Sequence, residues 1–145
     1  MALFLLLSAC GSSTTNSSSS ADADEGLRPL TFPDGFVIKT EIKITPQQQQ
    51  IGMMYRTSLP HNRGMLFVYQ QPQAIPYWME NCNFPLDIIF IGANHKVVEI
   101  VDNAPPCRTA PCPTLGGTRP ALFVLEINGG DAAKHGIKID SQLAF

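Results

Sequence analysis

The sequence predicts a mainly β domain, a compact antiparallel sandwich or barrel-like fold with two short helices. Three observations lead there. Runs of strand length either alternate or are wholly apolar, as in "GFVIKTEIKIT" and "LDIIFIG". Turn residues interrupt these runs at hairpin spacing, at Pro60–Gly64 and at Gly92–Asn94. The helix-like segments are too few and too short for repeated parallel crossovers.

The elements follow in order. Gly35–Thr45 sets Val37, Ile42 and Ile44 against Lys39 and Lys43, the pattern of a half-exposed strand. Thr45 is a good N-cap and Pro46 suits the first helical position, so a short helix is expected over Pro46–Met54. Met65–Tyr69 reads as a strand and "IPYWM" as a shorter one. Leu86–Gly92 reads as a strand buried on both faces, with Lys96–Asp102 as its hairpin partner. Ala121–Ile127 is another mostly apolar strand, and a short helix is expected from Gly130 to His135, closed by Gly136. "QLAF" would be a terminal strand, giving about seven strands in all.

Not all of the 145 residues can belong to this fold. Met1–Ala9, "MALFLLLSA", is apolar but too short to span a bilayer, which takes about 20 residues. It reads as a secretory signal core. Gly11–Gly26 holds no large apolar side chain and cannot offset its own ordering entropy, so it reads as flexible linker. "LSAC" at Leu7–Cys10 resembles the lipobox of bacterial lipoproteins, although no Lys or Arg precedes the apolar run. The resemblance implies that Cys10 is lipidated and becomes the mature N-terminus. The expected organisation is a signal segment (1–9), a lipidated Cys10 with a Ser-rich linker (10–26), and a single β domain (27–145). The expected location is the periplasmic side or the cell surface, with the membrane as partner through the lipid anchor.

Charge excludes little but is informative. Ten Lys and Arg face twelve Asp and Glu, a net of −2. Asp22, Asp24 and Glu25 fall in the linker, which leaves ten cations against nine acids in the domain. The cations are scattered singly, which gives nucleic-acid binding and polybasic membrane contact no support. Apart from Cys10, three cysteines remain. Cys107 and Cys112, five apart in "PPCRTAPCP", point to a local disulfide in an oxidising compartment. Free thiols and a metal site are the competing readings, the latter short of the further Cys or His ligands that tetrahedral zinc requires. Cys82 is then unpaired and expected to be buried.

Three blocks, "IGMMYRTSLPHNRGMLFVY", "YWMENCNFPLDIIFI" and "FVLEINGG", resemble in order and spacing those of the domain of unknown function family 192 (DUF192). The resemblance spans Thr45 to about Ile139. This chain departs from the family pattern at Glu80, where Lys is usual, at Cys82, where Thr is usual, and at Gly129, where Ala is usual. The resemblance implies a small, mainly β sandwich and brings no settled activity.

The polar residues matching those blocks are Arg56, Trp78, Asn81, Asp87, Glu126 and Asn128. They form the candidate ligand-binding set. Asp87 and Glu126 are also the catalytic candidates, since paired carboxylates can act as general acid and base when their pKa values are driven apart. The competing expectation is that Arg56 pairs with one or both in the interior, its planar fork matching a carboxylate. Trp78 beside Glu80, Asn81 and Asn83 could form a stacking platform for a sugar or similar small polar ligand, or could merely plug the end of the sandwich. Cys82 has no neighbouring His, and no phosphate-cradling, zincin or nucleophile-elbow motif is present. No cofactor or metal is expected. The sequence therefore points to a lipid-anchored envelope protein binding a small polar ligand or an envelope partner. The alternatives are an envelope glycan-acting enzyme using Asp87 and Glu126, and a purely structural or assembly role.

Overall fold

The computed structural model describes Asp24 and residues 26–145. The expected signal segment, Cys10 and most of the linker lie outside these residues. In chain order the elements are β1 (Arg28–Thr31), β2 (Val37–Lys43), α1 (Pro46–Ile51), β3 (Arg63–Gln73), β4 (Leu86–Ile91), β5 (Val97–Ala104), β6 (Ala121–Asn128) and α2 (Asp131–Lys134). The domain is mainly β, as expected. Its strands form one open, mixed sheet in the order β1-β2-β3-β6-β4-β5.

One detail of the pairing differs from an all-antiparallel sheet. β2 and β3 run parallel, with Lys39 opposite Arg63 and Lys43 opposite Phe67. The connection between them holds α1 and an extended return, long enough to carry the chain back to the start of the sheet. Short helices limit the number of such crossovers without forbidding one. α1 begins where the sequence places it: Thr45 accepts from the Gln48 amide, and Gln48 reaches back to the Thr45 amide. Gly52, at φ +45, caps it after Ile51, three residues earlier than expected.

Two expected strands shrink to single-residue pairings. In the segment containing Trp78, only Tyr77 pairs with Leu115 and Glu80 with Cys107. Pro76 lacks an amide hydrogen and Asn81 sits in the left-handed region, at φ +56, so neither can continue a ladder. The C-terminal tail pairs Ala144 with Thr31 and Gln142 with Lys96. It thus bonds to both edges of the sheet, beside β1 and beside β5, and blunts them without closing it. β1 escapes sequence patterning because it is four residues long and contains Pro29; it forms as the hairpin partner of β2.

Alternation along β3, β4 and β6 divides the interior in two. Leu66, Ile89, Ile91, Leu125 and Ile127 face one way, covered by Ala132 of α2, Ile137 and Leu143. Met65, Phe67, Ile88, Phe90 and Val124 face the other, covered by Met53, Leu59, Met79 and Cys82. β4, buried throughout, contributes to both. Asp87 projects into the first face and is fully buried. Its Oδ1 accepts from the amides of Asn103 (2.7 Å) and Gly130 (3.0 Å), and its Oδ2 from Ala132 (2.7 Å). One carboxylate thereby ties the end of β5 and the start of α2 to the centre of the sheet.

Asp87→Ala would strand three amide donors, each costing about 1–3 kcal/mol when left unpaired. Urea denaturation should show a loss of roughly 3 kcal/mol or more with an unchanged m-value. Asp87→Asn, which keeps one acceptor oxygen, should lose less.

Candidate functional site

On the second face, a cleft of about 230 Å³ opens between α1, the segment from Ile75 to Cys82, and the sheet. Its floor is Phe67, Tyr69 and Glu126, supplied by β3 and β6. Its walls are Gln49 to Met54 on one side and Ile75 to Trp78, with Glu80, on the other. α1 is tethered over the floor by Gln49, whose amide donates to the Val68 carbonyl (2.9 Å).

The opposite wall is braced from outside. Tyr77 and Leu115 exchange two backbone hydrogen bonds, and Cys107 accepts from Asn81 and donates to Met79. Cys107 is joined to Cys112 by the expected disulfide. Gly117 packs where a Cβ would lie 2.2 Å from the Ile75 carbonyl oxygen, so only glycine admits this approach. Asn81 and Tyr55, both at positive φ, are laced together: Tyr55 N–H donates to the Asn81 carbonyl, and the Asn81 amide donates to the Tyr55 hydroxyl (3.1 Å). Two such backbone positions side by side store strain at the rim.

Glu126 is the unusual group. It sits mid-strand on β6, between Met65 of β3 and Ile88 of β4, both fully buried. Its side chain is 5% exposed, and among the described residues its Oε2 has no hydrogen-bond partner. Burial pushes its carboxyl up to about 8, with the Arg56 charge working against the shift. The nearby Tyr69 and Tyr77 hydroxyls bond to each other (2.8 Å) instead. Burial, assisted by the Glu126 charge, pushes the Cys82 thiol up to about 11, which keeps it protonated and poorly nucleophilic.

The sequence-derived candidates separate. Glu126 and Trp78 line the cleft, and Trp78 is 43% exposed while its neighbour Met79 is buried. Asn81 shapes the rim through Tyr55. Asp87 lies on the other face of the sheet: its neighbour Ile88 is the residue paired with Glu126, and its own partner across the strand is Ile127. The two carboxylates cannot reach one substrate, because residues adjacent along a strand point to opposite sides. Arg56 pairs with neither. Its fork grips Glu41 of β2 at 2.5 and 2.8 Å, and it influences Glu126 only through space. Asn128 donates to the Leu59 carbonyl (2.8 Å), pinning the chain between α1 and β3 to β6. Tyr69, Tyr77, Gln49 and Met53 line the cleft unannounced. Tyr69 was reachable in principle, since it continues the alternation of Met65 and Phe67; the others depend on how loops fold over the sheet. Among the described residues, no three His, Cys, Asp or Glu side chains converge as a metal site.

Two carboxylates should make stability depend on pH in opposite senses. Between pH 4.5 and about 8, native Glu126 holds a proton that the unfolded chain releases, so stability falls as pH rises through that window. Glu126→Gln should gain on the wild type by a few kcal/mol from pH 4.5 to pH 9 in urea unfolding. Glu41, held down to about 2 chiefly by the Arg56 fork, stabilises above pH 4.5 and loses that contribution as pH falls toward 2. The pair is partly exposed, so Glu41→Gln should cost about 1 kcal/mol or less at pH 7 and nothing at pH 2.

The model of the DUF192 family, described as an uncharacterised group, matches residues 31–145. No curated protein matches the sequence. A Novosphingobium aromaticivorans DSM 12444 protein of unknown function has a similar solved structure, at 38% identity and a TM-score of 0.75, covering 82% of this chain and 85% of that one. A structure from Sinorhizobium meliloti 1021, named as a candidate transcription regulator, is 29% identical with a TM-score of 0.71, covering 80% of this chain and 89% of that one. With the family model running from Thr31, the last residue of β1, to the end of the C-terminal tail, the chain belongs to the DUF192 family.

Proposed function

We propose that this chain is an exported, lipid-anchored protein whose β domain binds a small ligand in the α1–Trp78 cleft and does not transform it. The observation that carries the reading is Glu126, buried and unpartnered beneath an aromatic-walled opening. A buried acceptor left without a donor costs about 1–3 kcal/mol, which a bound ligand's donor recovers. Trp78 at the mouth supplies an exposed flat face, and Ile51 on the opposite wall is 58% exposed. Apolar surface of this kind around a concave polar point is the usual form of a small-molecule site, and a small polar compound such as a sugar is one class it could take.

The enzyme alternative asked two carboxylates to meet in one cleft, and the sheet holds Asp87 and Glu126 back to back. A general acid remains in Glu126, with Cys82, Tyr69 and Tyr77 pushed up by burial, so an enzyme on this cleft would have to use Glu80, not Asp87, as its second carboxylate. A purely structural role leaves the cost of Glu126 unexplained, because leucine there would pack better. The lipid anchor is motivated by the "LSAC" stretch and the Ser-rich linker after it.

Trp78 is the single tryptophan of the chain, so its fluorescence reports on the cleft alone. A panel of sugars, amino acids, alcohols and amines at millimolar concentration should contain at least one that shifts Trp78 emission saturably. That shift should vanish in Glu126→Leu, once thermal unfolding shows the variant folded. A flat response across the panel would count against ligand binding. For the anchor, metabolic labelling with palmitate in an expressing bacterium should mark the full-length chain and not Cys10→Ser.

A further inference from the structure

The charges lining the cleft are of one sign. Glu80 and Glu126 line it, and among the described residues no Lys or Arg does. Around Glu126 stand Phe67, Tyr69, Tyr77 and Trp78, with Met53 and Met54 completing the apolar wall. Rings carry negative potential on their faces and attract cations, more strongly when water is excluded. The deep end offers an acceptor in need of a donor and no unused cationic donor of its own. An anionic ligand meets the Glu80 carboxylate there and would compete with any ionisation of Glu126. A sugar, with a hydroxyl on most carbons, requires many matching polar groups; besides the acids the side walls supply the Gln49 and Gln50 amides and the Trp78 indole N–H, the Tyr77 hydroxyl being already bonded to Tyr69. An ammonium head is donor-only, carries the complementary charge, and tolerates ring faces on its remaining sides.

We propose that the ligand of this cleft is a protonated primary or secondary amine on a compact apolar body, its N–H groups bonding to the Glu126 carboxylate and its body lying against Tyr77 and Trp78. This rests on the ligand-binding reading above and narrows it to one chemical class. The volume of about 230 Å³ limits the ligand to a small molecule.

Binding has a proton balance. In the empty cleft near neutral pH, Glu126 is mostly protonated. The incoming cation stabilises the ionised form, and the displaced proton passes to the buffer. The other groups facing Glu126 do not compete. Arg56 is occupied by Glu41; Tyr69, Tyr77 and Cys82 are each pushed up and stay protonated; Glu80, in the same lining, adds to the attraction.

Isothermal titration calorimetry with 2-phenylethylamine, its neutral isostere 2-phenylethanol and methyl β-glucoside tests this. At pH 7, in phosphate and in HEPES, the amine should bind about tenfold or more tighter than the alcohol. Buffer-dependent heats should show close to one proton released per site. Glu126→Gln should cut amine affinity roughly tenfold, abolish the proton release, and leave the alcohol within about twofold. Trp78→Leu, at an exposed position that folding tolerates, should weaken the amine without altering proton release. Saturable binding of the alcohol or the glucoside in preference to the amine overturns the amine assignment and leaves ligand binding standing. Amine binding with no proton release, or unaltered in Glu126→Gln, overturns the role of Glu126. No heat with any of the three overturns the amine assignment, and the Trp78 panel then decides ligand binding separately.

Discussion

Side-chain alternation across the three central strands is the constraint from which the rest of this molecule follows. β6 lies between β3 and β4, so each of its residues is fixed to one of two interiors. Leu125 and Ile127 belong to the interior that α2 covers, and Glu126 and Val124 to the one that α1 and the Trp78 segment cover. The same rule sends Asp87 one way and Ile88 the other. A slip of β6 by one residue would turn Glu126 toward the backbone amides of α2, and a slip of β4 would turn Asp87 toward the cleft.

The two acids show how opposite environments are built from one residue class. Asp87 has lost all contact with water and is compensated by three amide donors at good distance. Its donors lie at the end of β5, where the β4–β5 register shifts, and at the start of α2, places where amides are left over from regular pairing. Glu126 has apolar strand neighbours whose amides are already committed to the ladder, so no backbone donor is available to it. The interior therefore satisfies one carboxylate and leaves the other wanting. Local stability is lost at Glu126 and recovered nearby, where the Cys107–Cys112 disulfide, Gly117 and the Asn81–Tyr55 contact hold the cleft walls.

Much of the architecture was legible in the sequence, for physical reasons. Period-two alternation and the apolar run at Leu86–Ile91 mark strands because burial decides their composition. Thr45–Pro46 marks the start of α1 because capping is local chemistry. The parallel β2–β3 pair was not legible, since strand direction depends on how long a connection runs in space. Arg56 shows the same limit at the level of a single contact. Its need for a carboxylate is evident from the residue type, but Glu41 on β2, not Asp87 or Glu126, is the one the fold brings within reach. Residue type states what a group requires, and only the register of the sheet states which neighbour provides it.

That distinction also explains why the cleft was half visible. Trp78 and Glu126 stand out in sequence because each is unexpected where it occurs, a large ring in a polar stretch and an acid in an apolar strand. Tyr77, Gln49 and Met53 are ordinary residues in ordinary segments, and they become cleft walls only because α1 and the Ile75–Cys82 segment are pinned over the same face. The pinning contacts are mostly backbone hydrogen bonds, to which any residue contributes equally, so they leave no compositional trace. A site of this kind has a readable centre and an unreadable perimeter. In the ligand-binding reading proposed above, Glu126 at the centre sets the charge of a ligand, while the walls formed by Gln49–Met54 and Ile75–Trp78 set its size.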